Sequence, residues 1–221
     1  MDIEKNIAEI KKSLPDGVKL VAVSKTRSPQ IILQAYDAGH KIFGENKAQE
    51  LIQKQEVLPK DIEWHFIGHL QTNKAKYLVP FVSMIHSIDS FKILKTVNKE
   101  AKKNNRIIPC LLQFHIAQES TKFGLSEEEA YEILDSEEYK TLKNISIAGV
   151  MGMATFTDDK LQVRHEFRFL KKIFDKLKKE YFPRKKAFKE ISMGMSDDYE
   201  IAVEEGTTIV RIGSKIFGAR L

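Results

Sequence analysis

Val21-Ala22-Val23-Ser24-Lys25-Thr26, followed at once by Arg27-Ser28-Pro29, joins an apolar β-branched run to the opening of a helical pattern. That order predicts a strand whose last residue is a lysine, presented just before a helix. Lysine is rarely buried without a partner, because desolvation penalises its ammonium form. At the mouth of a pocket, a strand-end lysine can lose its proton and act as a nucleophile toward a carbonyl. The plainer alternative is a surface lysine that ends a strand.

The same strand-then-helix unit recurs outward from this stretch. An amphipathic helix precedes it, with Ile3, Ile7, Ile10 and Leu14 at helical spacing and a stop at Pro15-Asp16-Gly17. Strands are predicted to end at Lys25 and to cover Lys41–Phe43, Glu63–Ile67, Val82–Ser87, Ile107–Phe114, Ile145–Met151, Glu190–Met193 and Thr208–Ile212. Helical patterns fill the gaps. They run from Ile31 to Gly39, from Gly44-Glu45-Asn46 to about Val57, and from Lys74 to Leu78. Others cover Phe91 to Asn104, a capping box at Ser126 to about Leu134, Asp158 to about Tyr181, and Asp197 to Glu205. Lys215 to Leu221 reads as a terminal tail. Such alternation argues for parallel strands joined by helical crossovers. The expected fold is α/β: one (β/α)8 TIM-type barrel spanning 1–221 with an extra N-terminal helix. No GxGxxG fingerprint supports a dinucleotide-binding sheet instead.

Composition narrows the classes of function. Apolar content of 42% and charged content of 30% describe an ordinary globular chain with one sizeable core. The 36 Lys and Arg exceed the 31 Asp and Glu by five, which suits an anionic ligand without demanding nucleic acid. One cysteine, Cys110, rules out an internal disulfide and fits a reducing compartment. Its apolar setting marks a structural thiol. The charged start, Met1-Asp2-Ile3-Glu4-Lys5, lacks the apolar core of a signal peptide, and no run approaches membrane-spanning length. A cytoplasmic protein with no membrane partner is expected.

Ligands of such barrels sit at the C-terminal ends of the strands. Unusual residues fall there repeatedly: Lys25, Asn46, His69, Ser87, Lys122, Met151 with Met153, and Arg211. Two clusters carry the clearest chemistry. Ser192-Met193-Gly194-Met195-Ser196-Asp197 and Arg211-Ile212-Gly213-Ser214 put glycine and hydroxyls between a strand and a helix start, a setting that binds phosphate. N-capping by Ser196 and Ser214 is the alternative role. A lysine nucleophile facing a phosphate cradle suggests pyridoxal 5′-phosphate (PLP), which needs a Schiff-base lysine, a phosphate anchor and a group beside its pyridine nitrogen.

The chain resembles the pyridoxal phosphate homeostasis proteins, the YggS/PROSC family, which are similar to the barrel domain of alanine racemase. The pieces that carry the resemblance span nearly the whole chain in order. They are Val21 to Lys25, Phe43-Gly44-Glu45-Asn46, His65 to Lys74, Gly149 to Met153, Ser192 to Asp198, and Val210 to Gly218. The resemblance implies that Lys25 forms a covalent aldimine with PLP. It implies that Ser196, Gly213 and Ser214 hold the phosphate, that Arg211 sits beside the pyridine nitrogen, and that Met153 and Asn46 line the pocket. An arginine keeps its proton, so that nitrogen would stay unprotonated and the electron sink would be weak.

One departure bears on activity. The sequence ends right after the barrel pattern, without the β-domain that the racemases carry, and Arg27-Ser28-Pro29 stands where racemases have a tyrosine. Racemisation needs an acid and a base on opposite faces of the α-carbon. The resemblance therefore implies a PLP carrier in PLP and amino-acid homeostasis, with no catalytic residues and with apo PLP-dependent enzymes as partners. A monomer fits the missing β-domain. A small PLP-dependent racemase or lyase is the alternative. His65, His69 and His86 match no zinc spacing, so no metal is expected. The basic stretch from Lys171 to Lys186 is interleaved with Phe174, Leu177, Tyr181 and Phe182, which reads as the solvated side of an outer helix rather than a nucleic-acid surface.

Overall fold

Alternation along each short strand sorts its side chains between two environments. In β1 (Lys19–Val23), Leu20 and Ala22 join the large core under the helices, whereas Val21 joins a small inner cluster with Met84, Leu111, Ala148, Met151 and Ile209. Such two-sided burial is the mark of a parallel sheet covered on both faces. In the computed structural model, which describes residues 2–119 and 123–219, eight parallel strands close in sequence order into a barrel with helices between them. This is the single-domain TIM-type fold expected from the pattern. The remaining strands are β2 (Ile42–Glu45), β3 (Glu63–Phe66), β4 (Met84–Ile88), β5 (Ile108–Gln113), β6 (Ile145–Met151), β7 (Glu190–Ser192) and β8 (Ile209–Ile212). Closure comes from β1 against β8, with Val21 opposite Arg211.

The helices supply the outer wall. α1 (Ile3–Ser13) buries Ile3, Ile7 and Ile10, as their spacing predicts. α2 (Pro29–Asp37), α3 (Ala48–Val57), α4 (Thr72–Leu78) and α5 (Phe91–Lys103) follow the first four strands. α6 (Glu127–Asp135) opens with the expected capping box, Ser126 accepting from the Glu129 N–H and Glu129 accepting in return. A one-turn α7 (Glu137–Lys140), capped by Ser136, was not legible in the sequence. α8 (Lys160–Glu180) buries Val163, Phe167, Leu170, Ile173 and Leu177 and turns its basic face outward, where Lys171 pairs with Asp175 and Lys176 with Glu127. α9 (Tyr199–Glu204) precedes β8. Among the described residues no helix is long and apolar enough to cross a membrane.

Several boundaries differ from the sequence reading. β1 stops at Val23, so Lys25 lies in the turn beyond the strand, because Thr26 takes a left-handed φ of 66° and bends the chain. β2 runs on through Gly44 and Glu45, and β4 through Ile88. The supposed tail begins with a helical turn, α10 (Ser214–Phe217), which buries Ile216 and Phe217. Lys122 lies outside the described residues.

One glycine shapes the barrel wall. The β5–β6 register shifts at Gly149, whose φ is 153°. A Cβ there would lie 1.8 Å from the Glu190 carbonyl oxygen, so only glycine lets β7 approach.

Candidate functional site

The C-terminal rim of the barrel encloses a cavity of about 370 Å³. Lys25 reaches it from the turn after β1, Asn46 from the end of β2, and Met153 from two residues past β6. Ser196 comes from the turn after β7, and Arg211, Gly213 and Ser214 from β8 and the start of α10. All seven residues assigned to a cofactor site thus share one cavity, although they come from five different strand ends, whereas Ser87 and Met151 do not line it. Gly68 enforces one wall: a Cβ on it would fall 2.1 Å from the Asn46 carbonyl oxygen, so the β3 loop lies flush against the backbone that carries Asn46.

The floor is a string of buried polar groups. Arg211 is 4% exposed and donates through Nη1 to Ser192 Oγ at 2.6 Å and through Nη2 to the Gly152 carbonyl at 3.1 Å. Burial pushes its guanidinium down to about 10, with Asp198 opposing, so it stays a cation at neutral pH. Ser192 Oγ lies 2.9 Å from His86 Nδ1, and His86 Nε2 lies 2.9 Å from His65 Nδ1. Arginine has only donors, so Ser192 Oγ accepts from Arg211, and the tautomers of the two rings set the direction of the remaining contacts. Burial pushes His65 down to about 3 and His86 well below its usual value, so both rings are neutral. Alternation placed these histidines inward, since Trp64 and Phe66 flank His65 on the outer face. The pairing itself was missed, because only barrel closure brings β3, β4, β7 and β8 together.

Ser196, Gly213 and Ser214 form the candidate anion end. Ser196 is 7% exposed, and its Oγ accepts from the Gly213 N–H at 3.3 Å. The capping alternative fails for both serines. The N-cap position of α9 is Asp198, which makes no side-chain bond to the helix, and Ser214 is the first residue inside α10. Their hydroxyls are thus not committed to capping. A Cβ at Gly213 would lie 3.1 Å from the Val23 carbonyl, so the bare backbone brings Gly213 and Ser214 against the end of β1.

Other groups line the cavity too: His69 was noted at a strand end from sequence, whereas Arg27, Phe123 and Phe156 were not. Arg27 reaches the cavity and donates through Nη2 to the Gly218 carbonyl at 2.5 Å. His69 sits at the rim with Nδ1 2.7 Å from Asp89 Oδ2 and stacks on Phe123 at 4.1 Å between centroids. Phe156 (86% exposed) completes an apolar lip with Phe123 and Met195. Among the described residues no group of three or more His, Cys, Asp or Glu side chains is placed to hold a metal ion.

An amine, two hydroxyls, a backbone cradle and a buried cation in one cavity fit a ligand carrying an aldehyde, an anionic group and a ring nitrogen. That is the donor set PLP requires. Residues 2–221 match the family model of the alanine racemase N-terminal domain. The chain is 42% identical over 204 residues to a pyridoxal phosphate homeostasis protein of Aquifex aeolicus, covering 91% of this chain and 87% of that one. A protein of the same name from Vibrio alginolyticus is 37% identical, covering 93% and 88%. The solved structure of PipY from Synechococcus elongatus with PLP bound superposes with a TM-score of 0.88 at 32% identity, covering 98% of this chain and all of that one.

Proposed function

The chain belongs to the family of pyridoxal phosphate homeostasis proteins, built on the alanine racemase N-terminal domain, and on that premise we propose that it binds PLP through a Schiff base on Lys25 and acts as a carrier. The observation that carries this reading is the convergence of all seven candidate residues on one cavity. Lys25 supplies the amine that bonds the aldehyde. Ser196, Ser214 and the bare backbone at Gly213 would hold the phosphate. Arg211 donates to the ring nitrogen with N–H groups beyond the two that hold Ser192 and Gly152. Asn46 and Met153 line the ring. The whole of 1–221 works as one PLP-binding unit, in the cytoplasm, as a monomer that supplies apo PLP-dependent enzymes and so serves PLP and amino-acid homeostasis.

PLP when bound supplies an electron sink whose strength depends on protonation of its ring nitrogen. Arg211 keeps its own protons and offers that nitrogen none, which argues for holding rather than turnover. A second reading, a small PLP-dependent racemase or lyase, draws on His69, which Asp89 orients at the rim of the same cavity. The two separate by α-deuterium exchange of the common amino acids in heavy water, with free PLP as the control and Lys25→Ala as the blank. The carrier reading predicts rates near those of free PLP. General acid–base help is typically worth about 10²–10⁴, so a Lys25-dependent rate that far above the control would establish an enzyme.

A further inference from the structure

Lys25 sits in a turn that its neighbours would not adopt unaided. Thr26 has a φ of 66°, a left-handed conformation that is rare for a β-branched residue. The turn is held from behind by a buried ionic cluster. Lys54 of α3 has a side chain only 5% exposed, and its Nζ donates to the Ser24 carbonyl at 2.8 Å, to Glu45 Oε1 at 2.7 Å and to Glu50 Oε1 at 2.6 Å. All three of its donors are used. Glu50 Oε1 also accepts from the Thr26 N–H at 2.6 Å, and Ser24 Oγ donates to Glu45 Oε1 at 2.6 Å. The residue before Lys25 is thus fixed by its carbonyl and its hydroxyl, and the residue after it by its amide. Glu45 also directly precedes Asn46, so one cluster sets two walls of the cavity.

Stability alone does not account for such an arrangement. Desolvating ions costs about as much as their attraction returns, and apolar replacements of buried ion pairs are often neutral or stabilising. What this cluster does supply is a defined backbone on both sides of one side chain. We propose that Lys54, with Glu45 and Glu50, is a positioning residue that presents the Lys25 amine to the ligand's aldehyde. The proposal rests on the reading of Lys25 as the covalent attachment point.

The test compares two ligands on the full chain: PLP, and 4′-deoxypyridoxine 5′-phosphate, which keeps ring and phosphate but has no aldehyde to bond. Glu50→Gln should raise the Kd for PLP at least tenfold and leave that for the deoxy compound within twofold. In the ligand-free protein it should also speed deuterium exchange of the Thr26 amide at least tenfold. Lys54→Met should act in the same direction, and Lys54→Arg, which keeps the charge, should retain more of the PLP preference. Should Lys54→Met fail to fold, Glu50→Gln carries the test alone, since the Glu50 side chain is already 22% exposed. Unchanged PLP binding in Glu50→Gln, or an equal loss of both ligands, would overturn the proposal. A wild-type protein that binds both ligands alike and gains no borohydride label on Lys25 would instead overturn the attachment reading itself.

Discussion

Ser196 and His65 mark the two ends of the polar interior, and their substitution should have separate consequences. Ser196→Ala removes a hydroxyl from the proposed phosphate end and should cost roughly 1.5–3 kcal/mol, about one to two decades in the Kd for PLP. Pyridoxal without phosphate should bind wild type far more weakly than PLP in the same absorption titration, and equal affinities would remove the phosphate role. For His65, the folded ring titrates at about 3 against an ordinary 6.5, chiefly through burial and secondarily through Lys19. The unfolded chain therefore takes up a proton as pH falls through 6.5 while the folded chain does not. The associated stability is present in full above that pH and is lost progressively toward pH 3. Urea unfolding of wild type at pH 7.5 and 5 should show this loss, and His65→Gln should reduce it. A His65 ring seen by NMR to titrate near 6.5 would contradict the neutral string. At this scale the sequence picked out Lys25 and Arg211 at strand ends and Ser196 in a strand-to-helix turn, and the structure brings all three to one cavity. The His65–His86–Ser192–Arg211 string was not legible in the sequence, because its members come from four strands that only barrel closure brings together.

The elements were legible because the β/α rhythm is written in hydrophobic periodicity, which changes from two to about 3.6 at each junction. Their ends were less so. The alternation of β1 continues past Val23, and nothing in the residue types announces the left-handed Thr26 that ends the strand. α10 was read as a tail because its four residues are too few to show a period. The bulge in β6 left one trace, Gly149, and gives the prediction proper to this scale. Gly149→Ala combines an unfavourable φ with a Cβ 1.8 Å from the Glu190 carbonyl oxygen. It should cost more than the ~1 kcal/mol of an ordinary unfavourable glycine replacement, lowering Tm and loosening amide protection on β6 and β7. A variant as stable as wild type would mean that β6 and β7 do not meet as described.

For the whole molecule, the barrel gathers residues from opposite ends of the chain at one rim: Lys25 after the first strand, Arg211, Gly213 and Ser214 at the last. Closure of β1 on β8 makes them neighbours, and the account depends on that juxtaposition. The most direct measurement is the absorption spectrum of the protein loaded with PLP, before and after borohydride, followed by digestion and mass mapping. The account predicts a visible band from a protonated Schiff base that borohydride abolishes, and a pyridoxyl mass on the peptide containing Lys25 that is absent in Lys25→Ala. A pyridoxyl label confined to other lysines, or an unaltered band in Lys25→Ala, would contradict it.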